Sequence, residues 1–379
     1  MRTNVVLVAL SLFVTTLAVN LEVPLYTSYA KAAGFGSGLT ALAFAAYVAG
    51  LLPVLIGLGG SSDRLGRRTV LLAGLVSTLL ATVLITISPT IYVLFATRLL
   101  QGVGIGLSVG AGTAYIAELI GQPHGPTRAA GYAALTTSLG FGGGALITTL
   151  ALLLQPGLVP ISYWGVIGLT VGCILLLLRL PEYRLNSKAP LLRLPHYPPG
   201  SVLIGATLAV AWAVTGLVIS VVPTQLARNN LAVWSGVALF LVNGTGVLCQ
   251  PLARKLPAQR CLQIGFVLIP VGYSVLVMGA LTGLLGLVFV GSALAGAACY
   301  GFTYLGGLAE TAQLAGMQRA RAVSGYFLFG YLGFGLPSIL VGFLADSVGS
   351  EAALLICGLL ILSVITYLAY TLRNLLRSA

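Results

Sequence analysis

Two residues set the chemical problem of this chain, an arginine and a glutamate inside apolar runs. Arg98 lies within IYVLFATRLLQGVGIGLSVGAG, residues 91 to 112. Stranding a guanidinium in hydrocarbon costs between ~3 and ~15 kcal/mol, so a membrane helix carries one only where a cavity or a partner receives it. Arg98 is therefore expected to face an aqueous cavity. Glu22 and Arg98 each sit about seven residues from the outer end of their segments, at similar depth, roughly 10 Å in, so the two can pair. Gln101 shares a face with Arg98, and Glu22, Tyr26 and Tyr29 follow one another at i, i+4 and i+7. Burial penalises the charged form of a carboxylate and a nearby cation favours it, so a Glu subject to both can exchange a proton when its surroundings change. Two other readings fit the same residues: Glu22 stays ionised and merely neutralises Arg98, or it has surfaced among lipid head groups. Pro24 is expected to loosen the backbone beside it.

The elements that position these residues follow from composition. Of 379 residues, 58% are hydrophobic and 7% charged, with a mean hydropathy of +1.04; a soluble domain is about a quarter charged because water must wet its surface. A crossing helix needs about 20 apolar residues. Twelve stretches qualify, near 5–28, 39–59, 70–88, 91–117, 129–154, 161–180, 201–222, 232–250, 262–281, 284–309, 322–345 and 351–372. The fold class is an all-α, multi-pass membrane protein. With the N-terminus cytoplasmic, that side receives Arg2, Arg64, Arg67, Arg68, Arg128, Arg179, Arg184, Lys188, Arg193, Arg254, Lys255, Arg260, Arg319, Arg321, Arg373 and Arg377; Lys31 and Arg228 fall outside and Arg98 within. This bias predicts both termini in the cytoplasm. The net charge of +12 then reflects topology and anionic head groups rather than a nucleic-acid partner. Residues 1–28 offer no convincing cleavage site and carry Glu22, so they read as the first helix rather than a removable signal. Cys173, Cys249, Cys261, Cys299 and Cys357 have no zinc-ligand or redox-pair spacing and read as small packing residues. Neither a metal nor another cofactor is called for.

Between the sixth and seventh stretches, PEYRLNSKAPLLRLPHYPPG (181–200) carries five prolines and forbids continuous helix. The expected organisation is a six-helix bundle over 1–180, a cytoplasmic linker over 181–200 and a second six-helix bundle over 201–379. A weak internal repeat supports it. Glu118 matches Glu310 at an offset of 192, LGFG at 139–142 matches LGFG at 332–335 at 193, and Gly131-Tyr132 matches Gly325-Tyr326 at 194. Each half crosses an even number of times, so the repeats run in the same direction and are related by an axis along the membrane normal, with a site expected between them near mid-depth.

The loop between the second and third stretches reads Gly59-Gly60-Ser61-Ser62-Asp63-Arg64-Leu65-Gly66-Arg67-Arg68. A carboxylate among three guanidiniums can form a charge-assisted latch at a helix end, and the glycines permit a tight turn. Here the sequence resembles the major facilitator superfamily, whose G-x-x-x-D-R-x-G-R-R is matched at every fixed position. The second-half equivalent, PLARKLPAQR from Pro251 to Arg260, keeps basic residues but loses the Asp and the glycines. The fourth stretch resembles the family's R-x-x-Q-G-x-G at Arg98, Gln101, Gly102 and Gly104. Gly102, Gly106 and Gly110 fall four apart as a smooth stripe for helix packing. In the fifth, Gly131, Gly140 and Gly144 are spaced as in the antiporter signature of the superfamily's exporters, but Ala145, Thr148 and Thr149 replace its proline and last glycines; a packing face explains these glycines equally. Glu118 with Arg128, and Glu310 with Arg319 or Arg321, read as ion pairs of a gate or of the scaffold, whereas Asp346 and Glu351 read as solvated.

The resemblance implies two six-helix bundles that rock about a central site, in a monomer. In the second half the candidates for substrate contact are Trp212, Gln225, Asn243, Tyr300, Tyr304, Tyr326 and Tyr331, joined from the first half by Tyr26 and Gln101; any one tyrosine can equally anchor or pack a helix. One charged and one aromatic wall suit an amphipathic organic molecule better than a phosphorylated one. The expected function is proton-coupled efflux of such molecules across a plasma membrane of the bacterial inner-membrane type, with Glu22 exchanging protons and Arg98 tuning it. The rival is a facilitator or proton symporter of a sugar or organic acid, with Arg98 on the substrate. A polytopic enzyme or receptor-like scaffold is disfavoured, because His124 and His196 both fall in loops without a carboxylate cluster.

Overall fold

A computed structural model describes residues 2–183, 191–192 and 194–377. Arg184, Lys188 and Arg193 of the expected linker lie outside the described residues. In chain order the helices are α1 (Arg2–Val19), α2 (Tyr26–Ala32), α3 (Ser37–Gly57), α4 (Ser61–Leu65), α5 (Arg67–Ile87), α6 (Ile91–Ile120), α7 (Gly125–Leu154), α8 (Ile161–Leu177), α9 (Ser201–Ser220), α10 (Val222–Ala227), α11 (Ser235–Ala253), α12 (Ala258–Thr282), α13 (Leu285–Gly296), α14 (Tyr304–Leu314), α15 (Arg319–Val348) and α16 (Ser350–Arg377). A π-helical stretch, Ala297–Thr303, joins α13 to α14 into one rod.

Among the described residues, eleven rods are long and apolar enough to cross a bilayer, and Ile161–Leu177 is a shorter apolar helix, roughly 26 Å long at the α-helical rise. The twelve expected crossings are all present as helices. Buried hydroxyls inside them bond back one turn: Thr15 donates to Ser11 O, Thr78 to Gly74 O and Thr82 to Thr78 O. This lets polar side chains sit in a lipid-depth helix without a stranded donor.

Two crossings are broken by proline. At Pro24 the missing N–H and the clash of its ring with the carbonyl four residues back end α1 at Val19, and a 3-10 turn, Val23–Leu25, leads into α2. At Pro223 the same geometry separates α10 from α9, whose C-cap is Val221. The Glu22–Tyr26–Tyr29 series is therefore not one helical face, because the break falls between its first two members.

By contact the chain divides into two units. The first comprises Met1–Leu25 with Ala46–Arg193; its core gathers Val8, Leu12, Leu71, Leu75, Tyr115, Ile116 and Leu177. In it α1 packs against α6, α7 and α8, and α5 lies along α6. The second comprises Tyr26–Ala45 with Leu194–Ala379; there α9 lies along α15, α12 along α13, and α11 along the π-helical stretch.

Candidate functional site

Breaking α1 exposes its last carbonyls, which have no partner further along the helix and carry the negative end of its dipole. The fourth crossing supplies the donors. Arg98 and Gln101 stand one turn apart on α6; an Nη1 of Arg98 donates to Val19 O, and Gln101 Nε2 donates to Ala18 O at 3.1 Å. Gln101 also joins the two charges. Its Oε1 accepts from Arg98 Nη1 at 2.8 Å, and its Nε2 donates to Glu22 Oε1 at 2.9 Å. Glu22 is 0% exposed, and its Oε2 has no hydrogen-bond partner.

Arg98 differs from its sequence expectation. It is 1% exposed, bonded as above, with its guanidinium carbon 4.9 Å from the centroid of the Tyr47 ring. The guanidinium is sealed among the helices of the first unit and does not line an open vestibule. The cost of burying it is offset by helix-end carbonyls, an amide and an aromatic face, which the apolar sequence around it does not announce. Gln101, expected at the substrate, is likewise engaged in this network.

Glycines bring the seventh helix against the break. A Cβ on Gly144 would collide with Leu17 O, and one on Gly140 with Thr16 Oγ1 and Phe13 O, while Asn20 Nδ2 donates to Phe141 O at 2.8 Å. Gly102 and Gly106 of α6 pack on α3 at Tyr47 O and Val54, but Gly110 has open space, so the stripe of three contacts its neighbour at two places.

In the loop motif, Arg67 is the hub. It forms ion pairs with Asp63 and, at 2.9 Å, with Glu118, and its Nη1 donates to Ser62 Oγ at 2.6 Å. Glu118 thus pairs with Arg67 across helices and not with Arg128, which is exposed near the start of α7. Arg68 turns away from Asp63. Its Nη1 donates to Leu178 O and Leu180 O, and its side chain meets Glu182. Arg64 is exposed. Gly59 and Gly60 form the turn before α4, and Gly66 adopts φ +110, where a Cβ would strike the Glu182 carboxylate. That carboxylate accepts the backbone N–H groups of Arg68 and Thr69 at 2.9 and 3.0 Å and the Thr69 hydroxyl at 2.6 Å. It caps α5, whose Gly66 N-cap has no side chain to offer.

The second unit lacks the matching pair. Glu310 makes no ion pair among the described residues; Arg321 instead donates to Leu194 O at 2.9 Å and reaches Gln318 Oε1 at 3.5 Å. Asp346, expected to be solvated, accepts the N–H groups of Ser37 and Gly38 at 2.7 and 2.8 Å and so caps α3. The capping roles of Glu182 and Asp346 escape sequence reasoning. The one signal in reach is that α3 and α5 begin without a capping side chain of their own.

Aromatic side chains of the second unit gather around Trp212 on α9. Its ring centroid lies 5.7 Å from Tyr300, 5.1 Å from Tyr331 and 6.2 Å from Phe334, and its Nε1 is buried without a hydrogen-bond partner. Tyr300 belongs to the π-helical stretch, a distortion that often marks functional positions. The Tyr326 hydroxyl donates to Thr303 O at 3.0 Å, and Tyr304 lies against Phe327. Asn243 is buried with its amide bonded to Leu239 O, and Gln225 accepts from Ser350 Oγ at 2.6 Å.

No curated protein matches this sequence. Among solved structures, the fold is similar to a mutant of the nucleoside transporter NupG, at 13% identity over 97% of this chain and 99% of that one, with a TM-score of 0.75. It is also similar to a POT family transporter in complex with 5-aminolevulinic acid, at 11% identity over 97% and 95%, TM-score 0.73. A D-xylose-proton symporter aligns at 15% identity over 97% and 96%, TM-score 0.70. These likenesses concern fold alone. The sequence profile described as Major Facilitator Superfamily matches residues 8–315, so the chain belongs to the major facilitator superfamily and is a membrane transporter rather than an enzyme.

Proposed function

We propose that this transporter is a proton-coupled exporter of amphipathic small organic molecules, working as a monomer by alternating access in a plasma membrane with both termini in the cytoplasm. The observation that carries the reading is Glu22. One of its oxygens is bonded through Gln101 to Arg98 at a helix break, and the other is bare. The bare oxygen can take a proton; the resulting acid no longer balances Arg98, and the bonds that hold the broken end of α1 to α6 weaken together. Loss of the proton restores them. Glu22 is thus the coupling residue, Gln101 and Arg98 are positioning residues, and Arg67 with Asp63 and Glu118 holds one end-state.

The aromatic set of Trp212, Tyr300, Tyr331 and Phe334 suits a flat apolar body, and the free Trp212 Nε1 suits an acceptor on it. Tyr26, Asn243, Tyr304 and Tyr326 are further candidates for contact. Arg98 is committed to Val19 O and Gln101, which argues against an organic acid held by that arginine. Export rests on the partial likeness of Gly131, Gly140 and Gly144 to the antiporter signature; the close approach of Gly140 and Gly144 to α1 is equally that of a packing face.

The test is Glu22→Gln in proteoliposomes loaded with cationic or neutral amphipathic dyes. Proton-gradient-driven flux is abolished while dye binding and exchange persist; full gradient-driven flux in the variant overturns the reading.

A further inference from the structure

In the second unit, at the end that the positive-inside tally assigns to the cytoplasm, a cavity of about 300 Å³ opens where the first unit has its charge cluster. Its lining has two arginines, Arg254 and Arg319, set against apolar walls that include Leu256, Cys261, Leu305 and Leu308, and no lining residue is acidic. The internal offset of 192 explains why a hollow is there. In the first unit Arg67 fills the corner between Asp63 and Glu118. Its counterpart is Gln259, which is exposed, and Lys255 stands where Asp63 would be. The internal cation and one of its acids are both gone, and the corner is left basic.

The start of one helix adds to the same charge. α12 begins at Ala258 and α15 at Arg319, both lining residues, and neither has a side-chain cap. The 25 residues of α12 present free N–H groups and the positive end of their dipole there, whereas α15 follows directly on the 3-10 turn Gly316–Gln318 and α11 ends in the same lining at Ala253. Two guanidiniums and the bare start of α12 make a receptor for a tetrahedral oxyanion, and guanidinium pairs phosphate bidentately. The apolar remainder of the lining can hold the start of an acyl chain or glycerol.

We propose that this cavity is a phosphate-binding site that takes the phosphate group of an anionic phospholipid or of a free phosphate compound. Arg254 and Arg319 grip the oxyanion and the start of α12 completes its cradle. The occupant serves the second unit as Asp63 serves the first, by adding negative charge to a basic corner.

The test uses the full-length protein in a neutral detergent. Native mass spectrometry and thermal unfolding are followed while phosphatidylglycerol, phosphatidylcholine with the same chains, or inorganic phosphate is added. The wild type prefers phosphatidylglycerol over phosphatidylcholine, and Arg254→Gln with Arg319→Gln weakens that binding about tenfold, the loss expected for charge-assisted contacts. Arg254→Lys with Arg319→Lys retains part of it, and Arg179→Gln with Arg260→Gln, which removes as much charge outside the lining, retains it all. Ala309→Trp fills the cavity without changing charge and abolishes the preference, so the result stands even where the double glutamine variant fails to fold. Protection by inorganic phosphate that competes with the lipid assigns the site to free phosphate compounds; protection by the lipid alone assigns it to the membrane. Equal binding of both probes to wild type and to the lining variants, or an equal loss in Arg179→Gln with Arg260→Gln, overturns the proposal.

Discussion

Replacing Gln101 by leucine is the sharpest probe of the network at the α1 break. The amide makes three bonds, to Ala18 O, Glu22 Oε1 and Arg98 Nη1, and leucine keeps its bulk. Two of the bonds involve buried ionisable groups, worth about 1.5–3 kcal/mol each, and the third strands a carbonyl at about 1 kcal/mol, for a loss of roughly 4–7 kcal/mol. Spread over the unfolding entropy of 379 residues, at about 2.1 cal/mol/K per residue, the loss lowers the melting temperature by about 5–9 °C. The assay is thermal unfolding of the purified protein in detergent, run as a cycle with Glu22→Gln. With Glu22 neutral the bond from Gln101 is no longer charge-assisted, so the double variant loses less than the two single losses combined, by about 1–2 kcal/mol. A Gln101→Leu melting temperature within about 1 °C of wild type, or strict additivity in the cycle, refutes the relay.

Other expectations follow from the same geometry. Gly144→Val drives a side chain into Leu17 O and should abolish the monodisperse peak in size-exclusion chromatography, whereas Gly110→Ala, with open space around it, should leave that peak and the melting temperature unchanged. Arg67→Lys should destabilise by about 1–3 kcal/mol in thermal unfolding, because a point charge cannot hold Asp63, Glu118 and Ser62 together as a planar fork does. Asp346→Asn should accelerate hydrogen exchange of the Ser37 and Gly38 amides about fivefold, matching a cap contribution of about 1 kcal/mol.

Some of this is legible in the residues alone. Lipid-depth helices advertise themselves by length and apolarity, and Pro24 marks the break because a proline removes a specific hydrogen bond and crowds a specific carbonyl. Arg98 and Glu22 are visible as costly residues at one depth. What a sequence does not carry is which way each side chain turns about its helix axis and which carbonyls a break releases. The cavity expected at Arg98 is therefore replaced by a helix end. Nearness in the chain pairs Glu118 with Arg128, yet the loop between them carries Arg128 away to the exposed start of α7 while Arg67 arrives from α5. The repeat suggests an ion pair at Glu310 to match the one at Glu118. It fails because the residue equivalent to Arg67 is Gln259, a substitution plain in the sequence whose consequence needs the geometry. Asp346 and Glu182 act on backbone N–H groups, and such partners leave no mark in side-chain patterns.

If Glu22 couples transport to protons, it must gain and lose one inside the protein. Difference infrared spectroscopy on lipid-reconstituted wild type and Glu22→Gln, titrated between acid and alkaline buffer, reads this directly without a known substrate. The expected result is a carboxylic-acid carbonyl band in the wild type that fades as the pH is raised and is missing from Glu22→Gln. Superimposable acid-band spectra from the two proteins at every pH would contradict it.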